Sequence, residues 1–342
     1  MLKALYKHRY LRGKVLALIS GNSEQKGYDR IAALKKQGLV ASETLVKQQR
    51  CGSRVINKKV ASIYYLTTKG TVAVKILLGL DDLTGEERGR KPTESEMERA
   101  YRVSLLLEGL IELYEGFESP AEYKAQQGLP NFVPVNLIYG ENLIFFEKTN
   151  SNIRHRVVAE CHAMQERLGG IRTIILTEGE SQRANLVSYC IQNYGQNELV
   201  LPEYDFAGIR YLLTPEQSLK NYFLNNFDFE ELDQPIDGYK YMVNGELTNI
   251  FDIVGMPPRV LRRVKRASSP KYLLVSSPKE KNLFYRHYPE HKEDPDTIVY
   301  VLSEILKANP DAMSPAKEQT HDKWARIFQN YVQRMGGEDY QP

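Results

Sequence analysis

The sequence predicts an α/β chain of several domains, a multi-domain α+β protein, on three observations. Its 342 residues exceed the ~100–200 typical of one domain. Positive charge gathers at one end: residues 1–75 hold sixteen Lys and Arg against three acids, whereas the remainder holds 30 against 40. From about residue 99 onward, strand-like and helix-like periodicities alternate, the pattern of packed α/β layers. With 42% hydrophobic and 26% charged residues, the composition is that of a folded chain with its own core.

The first element is a short helix over Leu2–Arg9, with Leu2 and Leu5 on one side. Lys14–Ile19 gives a second helix, and Ser20-Gly21-Asn22-Ser23 a turn in which Ser23 can cap the next helix. The third segment is Tyr28–Val40. Its apolar residues Tyr28, Ile31 and Leu34 fall at helical spacing, Lys26 and Arg30 lie on the other face, and Gly38 stops it. Two β-prone stretches come next, Glu43–Gln49 and Ala61–Thr67. They flank a long connection, residues 50–59, that carries Arg50, Arg54, Lys58 and Lys59. A fourth helix runs from Thr68 to about Leu80.

Three short helices followed by a basic hairpin is the order of a winged helix-turn-helix. In such a unit the third helix enters the major groove, and the wing reaches along phosphates or into the minor groove. Lysine and arginine neutralise phosphates and release counterions. Arg30 and Gln25 are the candidate base readers, because Arg matches guanine and Gln matches adenine in two-point contacts. Lys14, Lys26, Lys35, Lys36, Arg50, Arg54, Lys58 and Lys59 complete the expected DNA-binding set.

Residues 81–98 are charged and poor in apolar side chains, which predicts an exposed linker. An amphipathic helix succeeds it over Arg99–Glu115. Strands are expected at Val133–Ile138, Leu143–Glu147, Arg172–Leu176 and Glu198–Pro202, with a fifth at Ile209–Leu213. Helices are expected at Arg154–Gly169 and Gln182–Tyr194. The domain boundaries predicted are 1–80, 99–230 and 231–342. Pro215–Phe229 begins as a helix, and in the last region Lys271–Val275 is a strand. Thr297–Lys307 is a helix or a strand and helix, and Lys323–Met335 is a final helix with Trp324. Arg259, Arg262, Arg263, Lys265 and Arg266 form a second basic cluster. Its partner is either nucleic acid or an acidic part of the chain.

The basic winged helix, the Tyr65-Leu66-Thr67 exit from its wing, and the strand Ile144-Phe145-Phe146-Glu147 followed by a helix resemble the replication-relaxation family. These are winged-helix proteins of plasmids and conjugative elements, and the resemblance covers roughly residues 1–220. It implies a middle domain related to the PD-(D/E)xK nuclease fold and a role in replication, mobilisation or regulation of a mobile element. Glu147 and Lys148 are adjacent, so on a strand they point to opposite faces. Asn136 stands where an acid would help. A degenerate domain without nuclease activity, catalytic residues, metal or cofactor is therefore expected. A metal-dependent nuclease targeted by the winged helix, or an adaptor in a replication or transfer complex, are the alternatives.

Other chemistries lack their residues. His155 and His162 sit two helical turns apart, without the HExxH spacing, and no P-loop, dinucleotide fingerprint or nucleophile elbow occurs. The segment Asn150–Arg156, polar and basic before a helix, reads first as a capped surface turn and second as a phosphate site. Cys51, Cys161 and Cys190 form no CxxC pair, which argues against a disulfide framework or zinc finger and for a reducing cytoplasm. No apolar run of ~18 residues predicts a membrane span. The expected partners are double-stranded DNA, a second copy of the chain on a two-fold site, and replication or transfer proteins.

Overall fold

The computed structural model describes residues 1–315 apart from 22, 52–53, 81–88, 129–134, 148–157, 159–162, 167, 194–197 and 215. His155, His162, the Asn150–Arg156 segment and the helix expected over Lys323–Met335 lie outside the described residues. Among the described residues no helix is long and apolar enough to cross a membrane. The chain is a mixed α+β protein that divides into two compact units. One holds residues 1–213 and 254–261, the other 214–253 and 262–342.

The first unit opens with α1 (Leu2–His8), β1 (Tyr10–Arg12), α2 (Gly13–Ile19) and α3 (Glu24–Lys36). Strands β2 (Val40–Cys51) and β3 (Arg54–Leu66) and helix α4 (Thr68–Leu78) come after them. The strands form an antiparallel sheet in the order β1-β3-β2. Local chemistry sets the bounds of α3. The Ser23 hydroxyl accepts from the Lys26 amide at 3.5 Å. At the other end Gly38 takes a positive φ of 72°. The Gly38 amide donates to the Lys35 carbonyl, and the Leu39 amide to the Leu34 carbonyl. This pair of bonds satisfies the last carbonyls of the helix, and a left-handed residue here favours glycine.

Two expectations for this region are corrected. Tyr28 is exposed, and Gly27 and Ile31 are the buried residues of α3. The reason is close helix packing: a Cβ at Gly27 would lie 2.5 Å from the Cα of Ala17 in α2. The long connection at 50–59 is strand for most of its length, since pairing runs from Val40↔Leu66 to Cys51↔Arg54. A register shift between Leu45 and Val46 accommodates an extra residue on β3.

Helix α5 (Glu94–Gly109) begins five residues before the expected Arg99, inside the segment read as linker. Thr93 accepts from the Glu96 amide at 3.3 Å, and the Glu96 carboxylate accepts from the Thr93 amide at 2.9 Å. That reciprocal capping box starts the helix. On one side α5 closes the N-terminal sheet. Ala100 joins Tyr10, Leu45, Ile63 and Tyr65 in one core cluster, with Met97 and Tyr101 packed against it.

On its other side α5 meets the second sheet of this unit. That sheet has the order β4-β5-β6-β7-β8: Phe117–Glu118, Leu137–Tyr139, Asn142–Phe146, Arg172–Thr177 and Glu198–Pro202. Strands β4 to β6 are antiparallel, and β6 to β8 parallel. The parallel strands are buried along nearly their whole length, as strands covered on both faces are. The fifth strand expected at Ile209–Leu213 is a helix instead, Phe206–Leu213. Asp205 caps it, accepting from the Gly208 amide at 3.0 Å.

The second unit repeats this plan. Its sheet runs β9 (Phe229–Ile236), β10 (Tyr239–Val243), β11 (Glu246–Asp252), β12 (Lys271–Val275) and β13 (Thr297–Val301). Again the first three strands are antiparallel and the last three parallel. Details coincide as well. The Glu147 amide donates to Leu176 in one sheet, and the Ile253 amide to Leu274 in the other. Arg183 Nε donates to the Val200 carbonyl at 3.1 Å, and Lys281 Nζ to the Val299 carbonyl at 3.4 Å. The helix Leu219–Asn226, expected to belong with the middle domain, packs here: Phe223 is fully buried against Tyr272 and Tyr300.

Candidate nucleic-acid interface

Helix α3 is fixed by a narrow buried edge and leaves the rest of its surface to solvent. Gly27 and Ile31 are buried and Leu34 is half-buried, while Gln25, Lys26, Asp29, Arg30, Lys35 and Lys36 are exposed. Three of the exposed polar side chains are held locally. Gln25 Nε2 donates to Asp29 at 3.2 Å, and Arg30 Nη1 reaches the Ser20 carbonyl at 3.5 Å. Lys35 Nζ donates to the Ser42 hydroxyl at 2.9 Å and lies 5.8 Å from the centre of the Tyr64 ring. These are weak, solvent-side contacts that a ligand can replace.

A clasp at its C-terminal end orients α3. Thr67 Oγ1 donates to the Gly38 carbonyl at 2.7 Å, and Lys69 Nζ to the Gln37 carbonyl at 3.1 Å. Gly70, in the first turn of α4, sits directly against the Leu39 carbonyl. The fold therefore holds the end of α3 through backbone contacts and leaves its side chains available.

The hairpin β2–β3 supplies the second surface. Lys58 and Lys59 are exposed, and Lys58 stands directly opposite Lys47, a residue absent from the expected set. Like charges paired across a sheet are destabilising. Lys47 lies 5.9 Å from the centre of the Tyr101 ring of α5, which offsets part of that penalty. The lysines and polar residues over 47–49 and 57–59 are visible in sequence, but the register that faces Lys47 with Lys58 is not. The side chains of Arg50 and Arg54 lie outside the described residues.

Lys14 stands differently. Its ammonium pairs with Glu108 of α5, which also takes Arg12 at 3.1 Å, and this bond raises the lysine's pKa. Part of the positive charge counted in the sequence is thus answered inside the fold. Glu43 likewise takes Lys91 at 3.0 Å.

The carboxyl ends of β6, β7 and β8 carry a second constellation. Glu147, Glu178 and Glu203 lie just past these strands, and Arg102 from α5 enters among them. Arg102 ion-pairs with the buried Glu203 and donates to the Glu147 backbone carbonyl at 3.0 Å. It also lies 3.8 Å from Glu178 and 4.7 Å from the centre of the Phe146 ring. Glu147 is buried. Among the described residues no group of three His, Cys, Asp or Glu side chains is placed to hold a metal ion. Burial holds the Cys190 thiol well above its usual range, so it is a poor nucleophile.

No family model, curated protein or solved structure matches the chain.

Proposed function

We propose that this chain binds double-stranded DNA through residues 1–66, folded as a winged helix-turn-helix, with α3 in the major groove and the β2–β3 hairpin along the backbone. One observation carries the reading: α3 keeps only a Gly27–Ile31–Leu34 edge inside and turns Gln25, Lys26, Arg30 and Lys36 to solvent. That edge is narrower than the roughly 100° apolar stripe of an ordinary packed helix. The order α1-β1-α2-α3-β2-β3 and the exposed Lys58 and Lys59 of the hairpin support the same reading. Docking as a dimer on a two-fold site suits such a unit. In the sense implied by the family resemblance, the output is replication, mobilisation or transcriptional control of a mobile element.

Base reading and phosphate contact separate experimentally. Selection of bound fragments from a random duplex pool should return a preferred site for the full chain. Arg30→Ala is expected to relax that preference, with about 1–3 kcal/mol of discrimination lost at one position. The pair Lys58→Ala and Lys59→Ala should weaken all sequences evenly and lower the salt dependence of binding by about 1 to 2 in slope. An even loss across sequences for Arg30→Ala would remove that residue from base reading.

A further inference from the structure

The helix Pro258–Arg266, which connects β11 to β12, has two opposite stripes. Leu261 and Val264 are fully buried on one side. Arg259, Arg262, Arg263 and Arg266 recur at i, i+3, i+4 and i+7 on the other, and all four are exposed, as is Lys265. Among the described residues none of Arg259, Arg263, Lys265 and Arg266 forms an ion pair.

This arrangement opposes the stability of the helix. Like charges three and four residues apart repel. The helix dipole favours cations in the last turn, which accounts for Arg263, Lys265 and Arg266, but it disfavours Arg259 in the first turn. Arg263 lies 6.0 Å from the centre of the Phe251 ring and Arg262 acts electrostatically on Tyr288, but neither contact involves Arg259 or Arg266. A stripe that costs the free helix stability is expected where a polyanion binds it.

We infer that the arginine stripe Arg259–Arg262–Arg263–Arg266 is a second DNA contact, gripping the phosphate backbone of a duplex without reading bases. At 1.5 Å per residue the stripe is about 10 Å long, close to the axial rise over four phosphates of one strand at about 3.4 Å each. Guanidinium forks match phosphate oxygens in pairs. Arginine also matches guanine in two-point contacts, so an equal loss of affinity at every sequence is the result that separates a phosphate grip from base reading. A membrane surface fits less well, because Leu261 and Val264 are buried and only the half-buried Val260 is left to enter a bilayer. The inference deepens the DNA-binding reading and rests on it.

The test uses the full chain and labelled duplexes of mixed sequence, titrated between about 50 and 200 mM salt. The variant Arg259→Gln/Arg262→Gln/Arg263→Gln/Arg266→Gln should lower the slope of log K against log salt by about 3 to 4 and lose affinity equally for every sequence. Arg259→Gln/Arg266→Gln, which leaves Arg263 on Phe251, should give about half that change, so a folding defect in the larger variant does not decide the matter. If wild type binds duplex and both variants match it in affinity and slope, the inference fails and the winged-helix reading stands. If wild type binds no duplex, both fail. Arginine-dependent binding of anionic vesicles or of an acidic polypeptide, with unchanged duplex binding, would also overturn it.

Discussion

Arg102→Ala is expected to destabilise the first unit by about 3–5 kcal/mol, the cost of leaving a buried charge without its partner. The charge in question is Glu203, which is 4% exposed and ion-paired with Arg102. The same guanidinium holds the Glu147 carbonyl and covers the Phe146 ring, so its loss also frees a backbone acceptor and an apolar surface. Replacing both members of the pair, Arg102→Met with Glu203→Leu, should recover most of the loss, because an apolar pair of similar volume avoids the uncompensated charge. Urea unfolding of the three proteins at constant pH measures this directly. A single variant as stable as wild type would show that the ion pair does not tie α5 to the ends of β6 and β8.

Gly70→Ala should cost about 3 kcal/mol, despite removing a glycine from a helix. Helix propensity alone favours alanine by about 1 kcal/mol. Against that, a Cβ at this position would fall inside the Leu39 carbonyl oxygen, a backbone atom that cannot rotate away. Overpacking of this kind costs about 1–3 kcal/mol and occasionally more. Leu39 lies just past the Gly38 stop of α3, so the displacement would also tilt that helix. DNA affinity should fall at temperatures where the variant is still folded. An unchanged urea midpoint would mean that α4 slides freely past the end of α3.

Much of the N-terminal unit is legible in sequence because its signals are local. Ser23, Gly38 and the Ile31–Leu34 spacing bound α3 by side-chain and backbone chemistry within a few residues. The features that escape such reading are set by tertiary packing. Gly27 rather than Tyr28 faces α2 because the two helices approach too closely for a side chain, a fact invisible to periodicity. Strand β1 is three residues long and exists only through pairing with Tyr64 and its neighbours.

Other signals are present in the sequence and outweighed by charge. Thr93-Glu94-Ser95-Glu96 spells a capping box inside a segment whose acids suggest a linker. Asp205 announces a helix ahead of an apolar run that reads equally well as strand. Asp237-Gly238 and Asn244-Gly245 adopt positive φ at all four residues, the signature of two-residue hairpin turns. They mark β9, β10 and β11, yet the acidic composition of Glu230-Glu231-Leu232-Asp233 conceals a strand there. The repetition of one sheet plan in two units resides in strand order and direction, which short and dissimilar strands do not display in sequence.

The candidate interface is half legible. Residue types and the segment that carries them emerge from charge counting, and Gln25, Lys26, Arg30 and Lys36 are exposed on α3. Lys14 shows the limit of counting, because the carboxylate of Glu108, far along the chain, takes up its charge.

The most direct measurement is fluorescence anisotropy of a short mixed-sequence duplex titrated with the full chain at several salt concentrations. Binding that weakens linearly in log–log form, and that flattens when Lys26, Arg30, Lys36, Lys58 and Lys59 are changed to alanine, is the predicted result. Absence of duplex binding at about 50 mM salt by a folded wild-type chain, or a slope untouched by those five changes, would contradict it.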